Sequence, residues 1–193
     1  MKKWLLFVCA IAAAFSATAA VLQREQQDLS QKLIRLHVVA NSDSGEDQAV
    51  KLEVRDAILE VTENLDETSL YWALPEIRSA AEQRLRELGC QDSVSVSLAK
   101  EQFPTRFYEN FALPAGVYTA LRITIGSGEG QNWWCVAFPS ICFRATAAEL
   151  EEAAVSAGFT TEEYRLITGD GEGYVLKFKA LELLDRLKQY LIS

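Results

Sequence analysis

Residues Ala115 to Phe143 read AGVYTALRITIGSGEGQNWWCVAFPSICF, and this stretch decides the expected fold. Period-two spacing puts Val117, Thr119, Leu121, Ile123 and Ile125 on one face and Tyr118, Arg122 and Thr124 on the other. With its β-branched content, this spacing predicts a half-buried strand. Gly126 to Gln131 reverses the chain. Asn132 to Phe138 is expected to run back beside the first strand, with Trp134, Val136 and Phe138 on the core face and Trp133, Cys135 and Ala137 on the other. Pro139 has no N–H to donate and ends the ladder.

Upstream, Leu33 to Ala40 alternates Ile34, Leu36, Val38 and Ala40 with Arg35 and His37, which predicts another strand. Asn41 to Gly45 breaks it. Ser44 is placed as a helix N-cap, and Glu46 and Asp47 favour the positive end of the dipole of the helix that follows. Val50, Val54, Ala57, Ile58, Val61 and Leu65 recur at helical spacing and give that helix one apolar face. After a polar break at Asp66 to Ser69, Leu74, Ile77, Ala81, Leu85 and Leu88 form a second stripe, with Pro75 tolerable in a first turn and Gly89 as the C′ stop. Ser93 to Leu98 alternates serine with Val94, Val96 and Leu98 and is a one-sided strand. Phe103 to Pro114, aromatic and bracketed by prolines, is expected as an ordered loop.

Downstream, Thr146 and Glu149 form a capping box before a short helix closed by Gly158, and Thr161 to Ile167 adds a turn or two. Tyr174, Leu176 and Phe178 are expected on a last strand, followed by a C-terminal helix through Leu181, Leu184, Lys188 and Leu191. Strands and helices mix without regular βαβ alternation. The expected class is α+β, a mixed, largely antiparallel sheet with helices packed on one face.

The N-terminus has a basic Met-Lys-Lys, an apolar run from Trp4 to Phe15, and Ala17-Thr18-Ala19, the order of a secretory leader with cleavage near Ala19. The expected organisation is therefore a signal peptide at 1–19, or an uncleaved anchor, a polar linker at 20–32 and one α+β domain at 33–193. The formal charge of the 193 residues is −8, and −10 once Lys2 and Lys3 leave with the leader, which disfavours nucleic acid and anionic lipid as partners. Membrane contact is expected only through an uncleaved leader.

Export leaves Cys90, Cys135 and Cys142. The economical reading is one disulfide and one thiol, with Cys135 and Cys142 paired because the Pro139 turn can return the chain within the Cα separation of about 4.4–6.8 Å that a bridge needs. Too few ligands cluster for zinc, since the only histidine is His37. No metal or cofactor is expected. Gly126-Ser127-Gly128-Glu129-Gly130 lacks the third glycine and the following helix of a dinucleotide loop. His37, Ser42 and Asp43 have the residue types of a hydrolase triad, but neighbours on one strand end do not ordinarily converge. No catalytic residue is assigned.

Four blocks carry a resemblance. They are Ile34 to Ser44 with Glu46 to Ala49, Lys51 and Leu52; Phe103-Pro104-Thr105; Leu113 to Gly116 with Ala120-Leu121-Arg122; and Asn132-Trp133-Trp134-Cys135 through Cys142-Phe143. In this order they resemble the stage II sporulation protein R family, with Lys177-Phe178-Lys179 similar to its closing strand. The resemblance implies an exported signalling protein, made in the forespore and released into the space between forespore and mother cell. It would activate a membrane-embedded aspartic protease that processes a pro-sigma factor. It implies no catalysis by this chain, and the expected partner is the extracytoplasmic part of that protease.

Exposure and chemistry place the partner-binding surface at Trp133, His37, Asn41, Asp43, Phe103 and Arg106. Two alternatives stand beside this. An exported hydrolase using His37 with Asp43 requires a cleft and a nucleophile, and a small-ligand or cell-wall binding module using Trp133 and the aromatics of Phe103 to Phe111 requires a concave apolar pocket.

Overall fold

The structure is a computed structural model that describes residues 2–63, 65–139, 146–169, 178–183 and 190. It is α+β, and the chain divides into two compact units.

The larger unit, Gln31–Glu101 with Tyr118–Phe159, is built on a four-stranded mixed sheet. Its strands are β1 (Ile34–Val39), β2 (Val94–Phe103), β5 (Gly116–Ile125) and β6 (Asn132–Phe138), in the order β2-β5-β1-β6. β1 pairs parallel with β5, Ile34 opposite Thr119, and antiparallel with β6, Val39 opposite Asn132. This corrects the expected hairpin: β5 and β6 are not neighbours, because β1 lies between them. The Gly126–Gln131 connection crosses the end of β1, where the N–H groups of Glu129 and Gly130 donate to the carbonyls of Asn41 (3.1 Å) and Ala40 (3.0 Å). Two strand spacings are about 10 Å, well within reach of six residues at roughly 3.3 Å each.

One face of this sheet carries the core. Leu36, Val38, Leu121, Ile123 and Ile125 meet Val54 and Ile58 of α2 (Gly45–Thr62), Leu70 of α3 (Glu67–Trp72) and Ile77, Ala81 and Leu85 of α4 (Leu74–Glu87). The local signals act as expected. The Ser44 side chain accepts from Asp47 N, Pro75 sits in the first turn of α4, and Gly89 is left-handed with Cys90 N donating to Leu85 O. The polar break at Asp66 instead starts α3, since its carboxylate caps the Ser69 N–H at 2.6 Å. The Thr146 capping box opens α5 (Ala147–Ser156).

The smaller unit comprises Met1–Ser30, Gln102–Val117 and Thr160–Ser193. Within it, helix α1 (Lys2–Gln31) runs through the stretch expected as a linker, with Gln26, Leu29 and Ser30 buried. Leu22, Gln26 and Leu29 lie at helical spacing, and counting only apolar residues hides that stripe because one of its members is a glutamine. No helix among the described residues is long and apolar enough to cross a membrane. The expected loop at 103–114 contains a small hairpin, β3 (Arg106–Phe107) with β4 (Ala112–Leu113), and α6 (Thr161–Thr168) packs against β4. Tyr174 and Leu176 of the expected last strand lie outside the described residues, and Phe178 is helical rather than extended.

Candidate functional site

The second face of the larger sheet is organised in transverse rows that follow from the register. Ala120, Arg35 and Val136 form a first row across β5, β1 and β6, Arg122, His37 and Trp134 a second, and Thr124, Val39 and Asn132 a third. The first is fully buried, with the Arg35 guanidinium 5.1 Å from the centre of the Tyr118 ring. Burial falls off along the strands. His37 and Val39 stay covered in the central strand, whereas Arg122, Trp134, Thr124 and Asn132 are half-buried.

A carboxylate from β2 reaches the second row. Glu101 Oε2 lies 3.1 Å from His37 Nε2 and accepts from Arg122 Nη1 at 3.2 Å, so one carboxylate oxygen serves both. The Arg122 Nε also donates to Thr124 Oγ1 at 3.4 Å. On the other side the Trp134 ring stacks on His37, centroids 5.0 Å apart and planes 10° from parallel. Burial of the imidazole pushes the His37 pKa below its ordinary 6.5, against the opposing pull of Glu101, and Arg122 lowers it further. The ring is therefore neutral at neutral pH, a flat base for the indole.

At the open end of β1 the chain forms a hydrogen-bonded joint. Asn41 donates through Nδ2 to Asp47 Oδ2 (3.1 Å) and accepts through Oδ1 from Ser127 N (2.9 Å), while Asp43 Oδ1 accepts from Gln131 N (2.8 Å). Lys51, buried, donates to Gln131 O at 3.0 Å, and desolvation lowers its pKa. The Asp47 carboxyl is held below the usual range by hydrogen bonds from Ser42, Asn41 and Ser44. Gly130 lets this joint close, because a Cβ there would overlap the Ser42 carbonyl.

The expected site residues take different places in the two units. Asn41 and Asp43 are structural members of the joint, His37 lies under the second sheet face, and Phe103, 1% exposed, and Arg106 belong to the smaller unit. The face expected for Trp133 is corrected. It packs on the helix-side core, opposite Val38, with the Arg55 guanidinium 5.0 Å from its ring centre, and it is Trp134 that faces the other way. The register shift between Ile34 and Arg35 is the cause. It puts Phe138 opposite Ile34 and on the same side as Trp133, so parity counted back from Phe138 gives the wrong tryptophan. Cys142, the expected partner of Cys135, lies outside the described residues, and Cys90 is free.

The alternatives fare unevenly. His37 pairs with Glu101, while Ser42 and Asp43 are engaged within the joint. Two cavities of the larger unit, about 480 Å³ between α2 and α4 and about 390 Å³ beside Phe138 and α5, are rimmed by acids such as Glu53, Glu60, Glu63 and Glu152. Neither is lined by Trp133. Arg122, Glu101, Asn132 and Trp134 are the members of the second row and its neighbour that sequence reasoning left out of the site. The signal for Glu101 was there, since Ser93, Ser95, Ser97 and Ala99 carry the same alternation on to it.

Comparison with known proteins gives a consistent result. The family model described as stage II sporulation protein R matches residues 30–148. The chain is 42% identical over 135 residues to the stage II sporulation protein R of Bacillus subtilis (strain 168), covering 65% of this chain and 60% of that protein. No solved structure matches.

Proposed function

This chain belongs to the stage II sporulation protein R family, and from that premise we propose that it is an exported signal that switches on a membrane-embedded aspartic protease, which then processes a pro-sigma factor. The observation that carries the reading is the extent of the match. Residues 30–148 take in all four strands of the larger sheet and helices α2 to α4, so the similarity covers most of a packed unit rather than a short motif. In this reading the chain performs no chemistry and acts by contact with the extracytoplasmic part of the protease. Its acidic charge and the leader sequence support release into the space between forespore and mother cell, with cleavage near Ala19.

The proposal includes a Cys135–Cys142 bridge. Cys90 is free, which leaves Cys142, seven residues on, as the economical partner of Cys135. Mass mapping without reduction should recover Cys135 and Cys142 in one linked peptide. Recovery of both alkylated sets that part aside.

The test of function is reconstitution. The exported protein is added to vesicles carrying the protease and its sigma-factor precursor, and precursor cleavage should appear only with the protein outside. Absence of cleavage in vesicles that respond to the Bacillus subtilis relative refutes the proposal.

A further inference from the structure

The open end of the second sheet face holds a cation that is fixed in place and incompletely used. Arg122 is 38% exposed, its Nη1 and Nε are pinned by Glu101 and Thr124, and among the described residues nothing accepts from its Nη2. Beside it in the same row, with only the buried His37 between them, Trp134 is half-buried and stacked flat on the imidazole. Along β2, Ser95, Ser97 and Ala99 are exposed and small, so that strand presents little bulk on this face. A rigid arginine and a rigid tryptophan bordering a shallow surface are the residue types that dominate binding energy at interfaces, and both have already given up their rotamer freedom.

We infer that this row is the docking surface for the protein partner and that Arg122 receives a carboxylate of that partner on Nη2, with Trp134 covering its flank. The inference rests on the proposed function and names the contact by which it works. Charge complementarity selects the occupant. A guanidinium nitrogen with its N–H groups unused on a half-exposed cation suits a carboxylate, and the contacts of Nη1 with Glu101 and of Nε with Thr124 fix the group in place. The chain's net charge of −8 does not oppose this at contact, since exposed charges beyond about 8 Å are largely screened at physiological salt.

The test uses the exported protein in the vesicle assay, reading the concentration needed for half-maximal precursor cleavage. Arg122→Gln should raise it about tenfold or more, the scale of one lost charged hydrogen bond, with Arg122→Lys in between. A second pair probes charge without touching a contact. Ala99 shares the face of Glu101 two residues along β2, about 6.6 Å away. Ala99→Lys should lower the half-maximal concentration about twofold and Ala99→Asp should raise it about twofold, both effects fading in high salt. Opposite shifts for the Ala99 pair support the docking surface even where Arg122→Gln fails to fold. Wild-type potency in a folded Arg122→Gln variant, or no opposite shift in the Ala99 pair, overturns the inference alone. A wild-type protein that triggers no cleavage overturns the proposed function and this inference with it.

Discussion

Trp133→Ala separates the two tryptophans in energy as the register separates them in space. Trp133 packs on the helix-side core opposite Val38 and carries the Arg55 guanidinium 5.0 Å over its ring. A fully buried aromatic truncated to alanine costs about 3–5 kcal/mol, and half burial with an open rim brings this to about 2–3 kcal/mol. Within that, the cation–π contact contributes about 0.5–1 kcal/mol. A double-mutant cycle of Trp133→Ala with Arg55→Ala, followed by urea unfolding at neutral pH, should return a coupling of that size. The matched cycle of Trp134→Ala with Arg55→Ala should return about zero, because the two side chains lie on opposite faces of the sheet. Trp134→Ala should instead couple to His37→Ala, through the stacked rings, by about 0.5–1.5 kcal/mol. Coupling of Arg55 to Trp134 with none to Trp133 would refute the face assignment.

Three further outcomes follow from the sheet's second face and the joint at its end. Gly130→Ala should destabilise by about 1–3 kcal/mol, since the new Cβ meets a backbone carbonyl that cannot swing aside, whereas Gly45→Ala has open space; thermal melting of the pair reports the difference. His37 has a folded pKa below 6.5, so the unfolded chain binds its proton first and stability falls as pH drops from about 6.5 toward the lowered value. His37→Gln should flatten that part of a urea-midpoint against pH profile, and equal slopes would count against a buried neutral ring. Asp47→Ala should lower the melting temperature at pH 7. Its carboxyl is depressed below 3.8 in the fold, so the contribution is complete above that pH and lost as pH falls through the folded value, and the gap to wild type should narrow in strong acid.

The helices and the alternation of β5 were legible because their signals are local. Ser44, Pro75, Gly89 and the Thr146 box each act within one turn, and each does what the sequence predicts. The place of β1 was not legible. A six-residue connection with three glycines closes a hairpin or bridges an intervening strand equally well, and the choice rests on pairing between residues more than eighty positions apart, Ile34 with Thr119. Nothing within the Ala115–Phe143 stretch encodes it.

That one insertion also governs how the polar residues of β1 should be read. Arg35 and His37 alternate with apolar neighbours as on a strand with one wet face, yet β1 is an inner strand of the sheet and both residues are buried. Their partners then come from strands chosen by topology. Tyr118 on β5 sits under the Arg35 guanidinium, Glu101 on β2 pairs with His37, and Trp134 on β6 stacks on it. The residue types were visible one by one, but no spacing in a linear sequence brings them together. Once β1 is central, a histidine that reads as an exposed contact becomes the base of a stack, and the contact moves outward along its own row, to Arg122 on one side and Trp134 on the other.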